Sequence, residues 1–370
     1  MKIVVTGGMG FIGGKLVRRL LSGGHQVRVL DSLTPQIHGE APVVEVLDGV
    51  EFLRVDVREL GERHDLLEGF DAVVHLAAET GTAQSMYRIR HYVDVNEGGT
   101  AALLEGLSKC EQRPRRIVLA SSRSVYGEGA YRDAGGRTVQ PQPRTREQLA
   151  RAQWEPVDAD GTSLAVMPTP ESLPFAPGSV YAATKASQEL LLQSAAEALA
   201  LEPVILRFQN VYGEGQSLQN PYTGIISIFF NRMRQGLMLP IYEDGLETRD
   251  FVHVDDVTAA VVAALGESVP AGSVCNVGSG VATSVIALAE KLSEAAGLSP
   301  KIKVTGQFRV GDIRHNFADI EAARRLLGFT PQISLDEGLR RFCEWAAGQP
   351  AYQDGLDRAT EELRAKGLGS

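Results

Sequence analysis

Short apolar runs recur along the first half of the chain, at residues 3–5, 26–30, 51–57, 72–78, 116–120 and 203–208, and each gives way to polar or glycine residues. Runs of this kind are buried on both faces, as the strands of a parallel sheet are. Between them, apolar residues return at helical spacing over 15–21, 59–67 and 91–109, and a long amphipathic stretch covers 179–198. Strand and helix in alternation predict a doubly wound α/β fold, with right-handed crossovers placing helices on both faces. Beyond residue 219 the pattern changes to a smaller mixed α/β region over 220–348. It holds a helix at 224–234, a strand at 239–242 and helices at 255–265 and 283–296, and the capping-box pattern Ser334-Leu-Asp-Glu337 opens a further helix. Residues 128–179 interrupt the first region with a stretch rich in Gly, Pro, Arg and Gln and poor in periodicity, the mark of a functional lid or an insertion. The tail, 349–370, carries Tyr352, Leu356, Ala359 and Leu363 at helical spacing and reads as a peripheral helix.

In such sheets ligands collect at the carboxyl ends of the strands. The first strand ends at Thr6 and runs into Gly7-x-x-Gly10-x-x-Gly13 ahead of a helix. That is either a plain strand-to-helix turn or a Rossmann opening, where glycine lets the backbone approach a pyrophosphate at the helix N-terminus. Asp31, at the end of the second run, stands where such a unit sets an acid on the adenosine ribose hydroxyls. A carboxylate there repels a 2′-phosphate, so NAD is favoured over NADP. Asp56 is placed for the adenine or, equally, as a cap ahead of Arg58 and Glu59. Residues 77–80 and 121–124 lie at two further strand ends. Tyr181-Ala-Ala-Thr-Lys185 puts a tyrosine and a lysine on one helical face. The pattern occurs by chance on many helices, but beside a dinucleotide site it suits a tyrosine base whose phenolate is stabilised by the lysine and a positive nicotinamide.

With 44% hydrophobic and 22% charged residues, the chain has the balance of a soluble globular protein. A formal charge of -9 argues against a general nucleic-acid or anionic-membrane binder. No apolar run reaches membrane-spanning length, and the chain opens on a strand without a secretory leader, which predicts a cytoplasmic protein. The three cysteines, Cys110, Cys275 and Cys343, are scattered and read as buried thiols. His75 and His253 lack metal-ligand spacing and read as structural; no metal is expected.

These motifs together resemble the extended short-chain dehydrogenase/reductase family, in its nucleotide-sugar epimerase and dehydratase branch. The resemblance spans residues 1–345 and rests on TGGMGFIGG, Asp31, Asp56, HLAAET, VDVNEGGT, SSRSVYG, YAATK, LRFQNVYGEGQ and RDFVHVDDV. It implies Ser122, Tyr181 and Lys185 as the catalytic set. An NAD site would comprise Gly7, Gly10, Phe11, Ile12, Gly13, Asp31, Asp56, Val57, Leu76, Ala77, Ala78 and Asn96 together with Tyr181 and Lys185. The nucleotide-diphosphate sugar would meet Thr80, Arg123, Ser124, Asn210, Arg249 and Arg309. Guanidinium groups suit a diphosphate because they make forked, charge-assisted hydrogen bonds; a surface salt bridge is the competing reading for each arginine. It also implies a homodimer through helices near 99–109 and 179–198, whose second apolar faces need a partner or core burial within one subunit.

Dehydratases of the family carry an Asp-Glu pair where this chain has Arg123 and Ser124, and neither replaces a carboxylic acid as a proton shuttle. The implied activity is therefore 4-epimerisation through a transient 4-keto sugar. Within the family the segments AAETGTAQSM, ASSRSVYGEGAYR and RFQNVYGEGQSLQNPYTGI are similar to the dTDP-L-rhamnose 4-epimerases. Cysteine pairs in that group's insertion resemble a metal ribbon; this chain has YRDAGG and VDADGT there, so no zinc is expected. Epimerisation of a UDP-hexose or UDP-uronate, reduction of a 4-keto sugar, and a non-catalytic NAD sensor are the alternatives.

Overall fold

A computed structural model of the chain describes residues 1–39, 46–220, 224–350, 352 and 354–368. Seven parallel strands form the centre: β1 (Lys2–Thr6), β2 (Gln26–Asp31), β3 (Val50–Arg54), β4 (Ala72–His75), β5 (Arg116–Ser122), β6 (Glu202–Phe208) and β7 (Ser273–Val277), in the order β7-β6-β5-β4-β1-β2-β3. The period of two along each strand sorts side chains between two cores. Ile3 and Val5 join Leu16, Val17 and Leu20 of α1 (Phe11–Ser22) on one face. Val4 joins Leu103, Leu104 and Leu107 of α2 (Gly99–Lys109) on the other, where Leu192 of α3 (Val180–Ala196) also packs.

Where residues 59–67 suggest a helix, the chain makes two 3₁₀ turns, Val57–Glu59 and His64–Leu66. Gly61 lies between them, a poor helix former. A Cβ there would stand 3.1 Å from Glu105 Oε2, and Lys109 Nζ donates to Gly61 O at 2.7 Å, so close approach to α2 replaces helical continuity. The helix expected over 91–109 is continuous but passes through a π-helical stretch, Val93–Gly98, ahead of α2.

The second region holds α4 (Ile225–Arg234), α5 (Val254–Ala264), α6 (Val285–Ala296) and α7 (Leu335–Ala347), with Ser334 capping α7 by accepting from Glu337 N at 3.3 Å. Its own core is built on Phe229, Phe230, Leu288 and Phe342, the rings of Phe230 and Phe342 meeting edge to face at 5.7 Å. Sequence order does not divide cleanly here. β7 extends the central sheet, and Val257, Ala260 and Val261 of α5 pack in the α1 core.

Residues 128–179 are less irregular than their composition suggests. Strands Tyr131–Arg132, Thr138–Val139 and Ala165–Val166 form a small antiparallel sheet beside a short helix, Arg146–Ala150. The tail folds into α8 (Leu356–Ala365), and it is not peripheral. Leu356 and Leu363 are buried, Arg232 pairs with Asp354 and with Asp357 at 3.0 Å, and Arg146 donates to Gly367 O at 2.8 Å. Among the described residues no helix is long and apolar enough to cross a membrane. Residues 221–223 of the NPYTGI segment and the side chain of Ala359 lie outside the described residues.

Candidate active site

The carboxyl ends of β1, β2, β4, β5 and β6 open into one cleft of about 1460 Å³, which the second region closes from the far side. Pockets for one drug-sized ligand run to roughly 300–1,000 Å³, so this cleft has room for a dinucleotide and a second extended ligand.

At one end the backbone is shaped for a pyrophosphate. Gly7 takes φ +69°, and a Cβ there would stand 2.8 Å from Ala77 N; at Gly13 it would stand 2.3 Å from Gly7 O. At Gly10 it would meet only Gly7 O, at 3.4 Å, so this glycine keeps the cleft clear rather than relieving a clash. No side chain caps α1 and no acid lies in its first turn, so its N–H groups remain for an anion. Phe11, Ile12, Val57, Leu76, Ala77 and Ala78 line the same end.

Asp31 is 8% exposed and accepts from Met9 N at 3.0 Å and Leu33 N at 2.9 Å, one bond to each oxygen, which leaves each an acceptor site for a ribose hydroxyl. Asp56 lines the cleft and is also the cap anticipated for it. It accepts from Arg58 N at 3.0 Å in a capping box with Glu59, and Arg58 Nε and Nη2 grip its carboxylate at 2.9 and 2.6 Å, holding that carboxyl below its ordinary pKa. The donor set fits NAD. Asn96 does not face the cleft: it is fully buried, accepting from Glu79 N at 2.8 Å and donating to Glu79 O and Thr184 Oγ1 at 3.1 and 2.9 Å. It braces the turn that presents Thr80, whose carbonyl accepts from Tyr92 OH at 2.6 Å.

Ser122 ends β5 and Tyr181 opens α3, whose N-cap Ser179 accepts from Ala182 N at 3.1 Å. The Ser122 hydroxyl accepts from Ser124 N at 3.2 Å and Ser124 Oγ at 2.9 Å, and it stands near enough to the Tyr181 phenol to favour the phenolate. The Lys185 ammonium donates to Ala120 O at 2.9 Å, and burial lowers its pKa to about 8 against the raising effect of Glu189. Burial raises the Tyr181 pKa, outweighing the lowering by Ser122 and Arg123. The expected pull toward neutral pH is therefore absent from the free protein, and a positive nicotinamide would have to supply it. Arg123 lines the cleft without a hydrogen bond or ion pair among the described residues, and burial, then Arg249, lowers its pKa to about 10.

At the far end Asn210 donates to Asp250 O at 3.1 Å. Arg309 stacks 4.8 Å over the Tyr242 ring and pairs with no carboxylate among the described residues, so its charge faces the cleft. Arg249 is more committed than its motif suggests. Nη1 donates to Thr248 O and Arg314 O, and Nη2 to Asp312 Oδ1 and Ile313 O, leaving only Nε of its five N–H groups. Tyr242, Glu247, Trp345, Leu356 and Leu363 also line the cleft, though no motif in the sequence marks them for it. The helical spacing of the tail was the available signal for the leucines.

Residues 3–153 and 159–278 match the family model described as the NAD dependent epimerase/dehydratase family. The chain belongs to this family. Within it, the chain is 42% identical over 349 residues to a dTDP-L-rhamnose 4-epimerase of Burkholderia thailandensis, covering 94% of this chain and 95% of that one. A UDP-glucose 4-epimerase of Thermotoga maritima solved with UDP-glucose superposes with a TM-score of 0.75 at 29% identity, over 94% of this chain and 99% of that one. A UDP-glucuronic acid 4-epimerase of Bacillus cereus, in complex with UDP-glucuronic acid and NAD, gives 0.74 at 27% identity over the same shares. The uncapped α1 and Asp31 suit the NAD of the family's name.

Glu214, His253 and Asp255 bring ligand-type atoms within 4.8 Å of one another. Lys15 and Arg341 already pair with both carboxylates, so the cluster is charge-balanced without a cation. His75 bonds Thr6 and Thr100 at 2.8 and 3.0 Å, and burial lowers its pKa to about 3.

Proposed function

We propose that the protein is an NAD-dependent nucleotide-sugar 4-epimerase working through a transient 4-keto sugar, on a dTDP-linked 6-deoxyhexose such as dTDP-L-rhamnose. The observation that carries this reading is the meeting of Ser122 and Tyr181 in the cleft beside Arg123 and Ser124: the site can move a proton at one sugar hydroxyl, yet neither of the two positions after Ser122 holds a carboxylic acid. Bound NAD would supply the hydride acceptor and donor for carbon 4. Tyr181 accepts the 4-hydroxyl proton and gives it back, Ser122 orients the oxygen, and Lys185 would hold the ribose of the nicotinamide, whose positive ring stabilises the phenolate. Arg309 and the free Nε of Arg249 meet the diphosphate, with Asn210 beside them. Thr80, Arg123 and Ser124 face the sugar. The 42% identical relative supports the dTDP-L-rhamnose assignment.

The nucleotide sugar would lie mainly against residues 220–348, with the cofactor held by residues 1–219. A cytoplasmic homodimer engaged in carbohydrate biosynthesis accompanies this reading; Leu190 of α3 and Ile89, each 52% exposed, are apolar residues a partner would cover. A second reading, a UDP-uronate 4-epimerase, is favoured by one feature: Arg123, a guanidinium without a hydrogen bond or ion pair among the described residues, would match a sugar carboxylate.

Incubating the protein as purified with dTDP-L-rhamnose and with UDP-hexoses and UDP-uronates, and following product stereochemistry by NMR, tests both. Inversion at carbon 4 of the dTDP sugar is expected, without deuterium from solvent at that carbon and without net NADH consumption. Accumulation of a 4-keto product or stoichiometric use of NADH rejects epimerisation. Inversion of UDP-uronates alone keeps the chemistry and replaces the substrate.

A further inference from the structure

Glu247 precedes the strand Thr248–Arg249 and lines the cleft near Tyr242 and Arg309, yet its side chain has no role in the reading above. It is 8% exposed; its own backbone N–H favours the carboxylate, but Oε2 makes no hydrogen bond among the described residues. Oε2 is shut off from solvent and stands 3.7 Å from Arg314 Nη1, too far for a hydrogen bond. That guanidinium is already engaged by Glu155, Glu243 and Asp244. A buried carboxyl oxygen left without a hydrogen bond is costly, and Oε2 lacks such a partner among the described residues.

The surroundings bear on its charge. Burial acts first and raises the pKa, the residue's own backbone N–H and then Arg249 favour the ionised form, Glu243 and Asp312 repel it, and the balance pushes the carboxyl up to about 7. A diphosphate held by Arg309 in the same cleft adds negative charge and favours the neutral carboxyl further.

We propose that Glu247 is a ligand-binding residue of this cleft that meets the nucleoside diphosphate as a neutral carboxyl, donating its O–H to an oxygen acceptor of the nucleotide, so that binding takes up a proton. The proposal rests on the nucleotide-sugar reading and adds to it a residue that senses the bound anion.

The test is calorimetric titration of the NAD-loaded protein with dTDP-glucose, whose diphosphate does not titrate near neutral pH, in two buffers of different ionisation enthalpy. At pH 7.5 to 8 the wild type should take up a fraction of a proton on binding, and its affinity should fall about tenfold between pH 6.5 and 8.5. Glu247→Gln keeps the size and the neutral donor; its affinity should stay flat with pH, near the wild-type value at pH 6.5. Binding without proton uptake, or a Glu247→Gln profile that follows the wild type, overturns the proposal and leaves the nucleotide-sugar reading standing. No binding of dTDP-glucose at any pH, with UDP-glucose also failing, overturns both.

Discussion

Gly13 and Gly14 are neighbours on α1, and alanine should have opposite effects at the two. At Gly13 the added Cβ would stand 2.3 Å from Gly7 O, 2.6 Å from Gly8 Cα and 2.8 Å from Gly8 C. All three are backbone atoms of the turn and have no rotamer by which to retreat. Reaching even 3.0 Å requires the turn and the helix to part by roughly 0.7 Å, an overpacking strain of about 1–3 kcal/mol or more. The gain in helix propensity, about 1 kcal/mol at most, offsets only part of it. At Gly14 nothing lies within 4 Å, so the same propensity gain is expected without opposition. Misplacement near 1 Å can cost a hundredfold in a positioned site, so Gly13→Ala should be purified with little NAD and melt below the wild type. Gly14→Ala should keep its NAD and melt about 1 °C higher. Cofactor content after denaturation and a thermal melt read both outcomes. A Gly13→Ala protein with full NAD and an unchanged melt would refute the steric account of this glycine.

Tyr181→Phe should abolish epimerisation to within about 1% of wild type while NAD content and melting stay unchanged, because only the proton-transferring oxygen is lost; turnover near wild type rejects the assignment. Lys185→Met should lower both rate and cofactor retention, and normal values for both would remove the lysine from the site. Ending the chain after Gln349 removes the Leu356 and Leu363 wall of the cleft, so substrate KM should rise about tenfold or more with NAD content intact; an unchanged KM would make α8 a bystander. Glu155, drawn to a pKa of about 2 chiefly by its hydrogen bond to His315, with Arg314 adding to the pull, stabilises the fold above its unfolded pKa near 4.5 and loses that contribution as pH falls toward 2. Glu155→Gln should accordingly lower the melting temperature at pH 7 and narrow the gap to wild type below pH 4; parallel curves would show that the pair does not carry this contribution.

Local patterns foretold what local physics decides. The glycines of the first turn, Asp31, Ser122 and the Tyr181–Lys185 pair sit at strand ends and a helix start because the sheet pattern puts them there. Asp56 is the cap that one of its two readings predicts, and it also lines the cleft. The departures come from long-range partners. Asn96 resembles a cofactor ligand by motif, but Glu79 and Thr184 consume its amide. β7 is only five residues long and interrupts its apolar character with Asn276, whose amide is satisfied by Tyr126, Thr169 and Asp319. Nothing within SVCNV reveals that those partners exist. For α8 the spacing was visible, but the cleft it covers is formed by residues far away in sequence.

The same dependence on distant partners explains the insertion. Arg144 and Glu155 come from it, and both close on the loop that carries Arg309 and Asp312. Arg144 pairs with Glu128 at 3.3 Å and Glu243 at 2.8 Å and donates to Asp312 O at 3.0 Å; Glu155 holds Arg314 at 2.6 Å and His315 at 3.0 Å. Arg249 grips the loop from the opposite side through Asp312, Ile313 and Arg314. Buried pairs of this kind add little net stability over an apolar core, but removing one partner costs about 3–5 kcal/mol. They therefore act mainly by fixing geometry. Arg314 is fully buried and answered by Glu155, Glu243 and Asp244, and Arg144 by Glu128 and Glu243. Two arginines of the cleft floor, Arg123 and Arg309, are left without carboxylate partners among the described residues. One stands beside Tyr181 and the other on the clamped loop, so the cleft keeps positive charge at both places while its other buried arginines are neutralised.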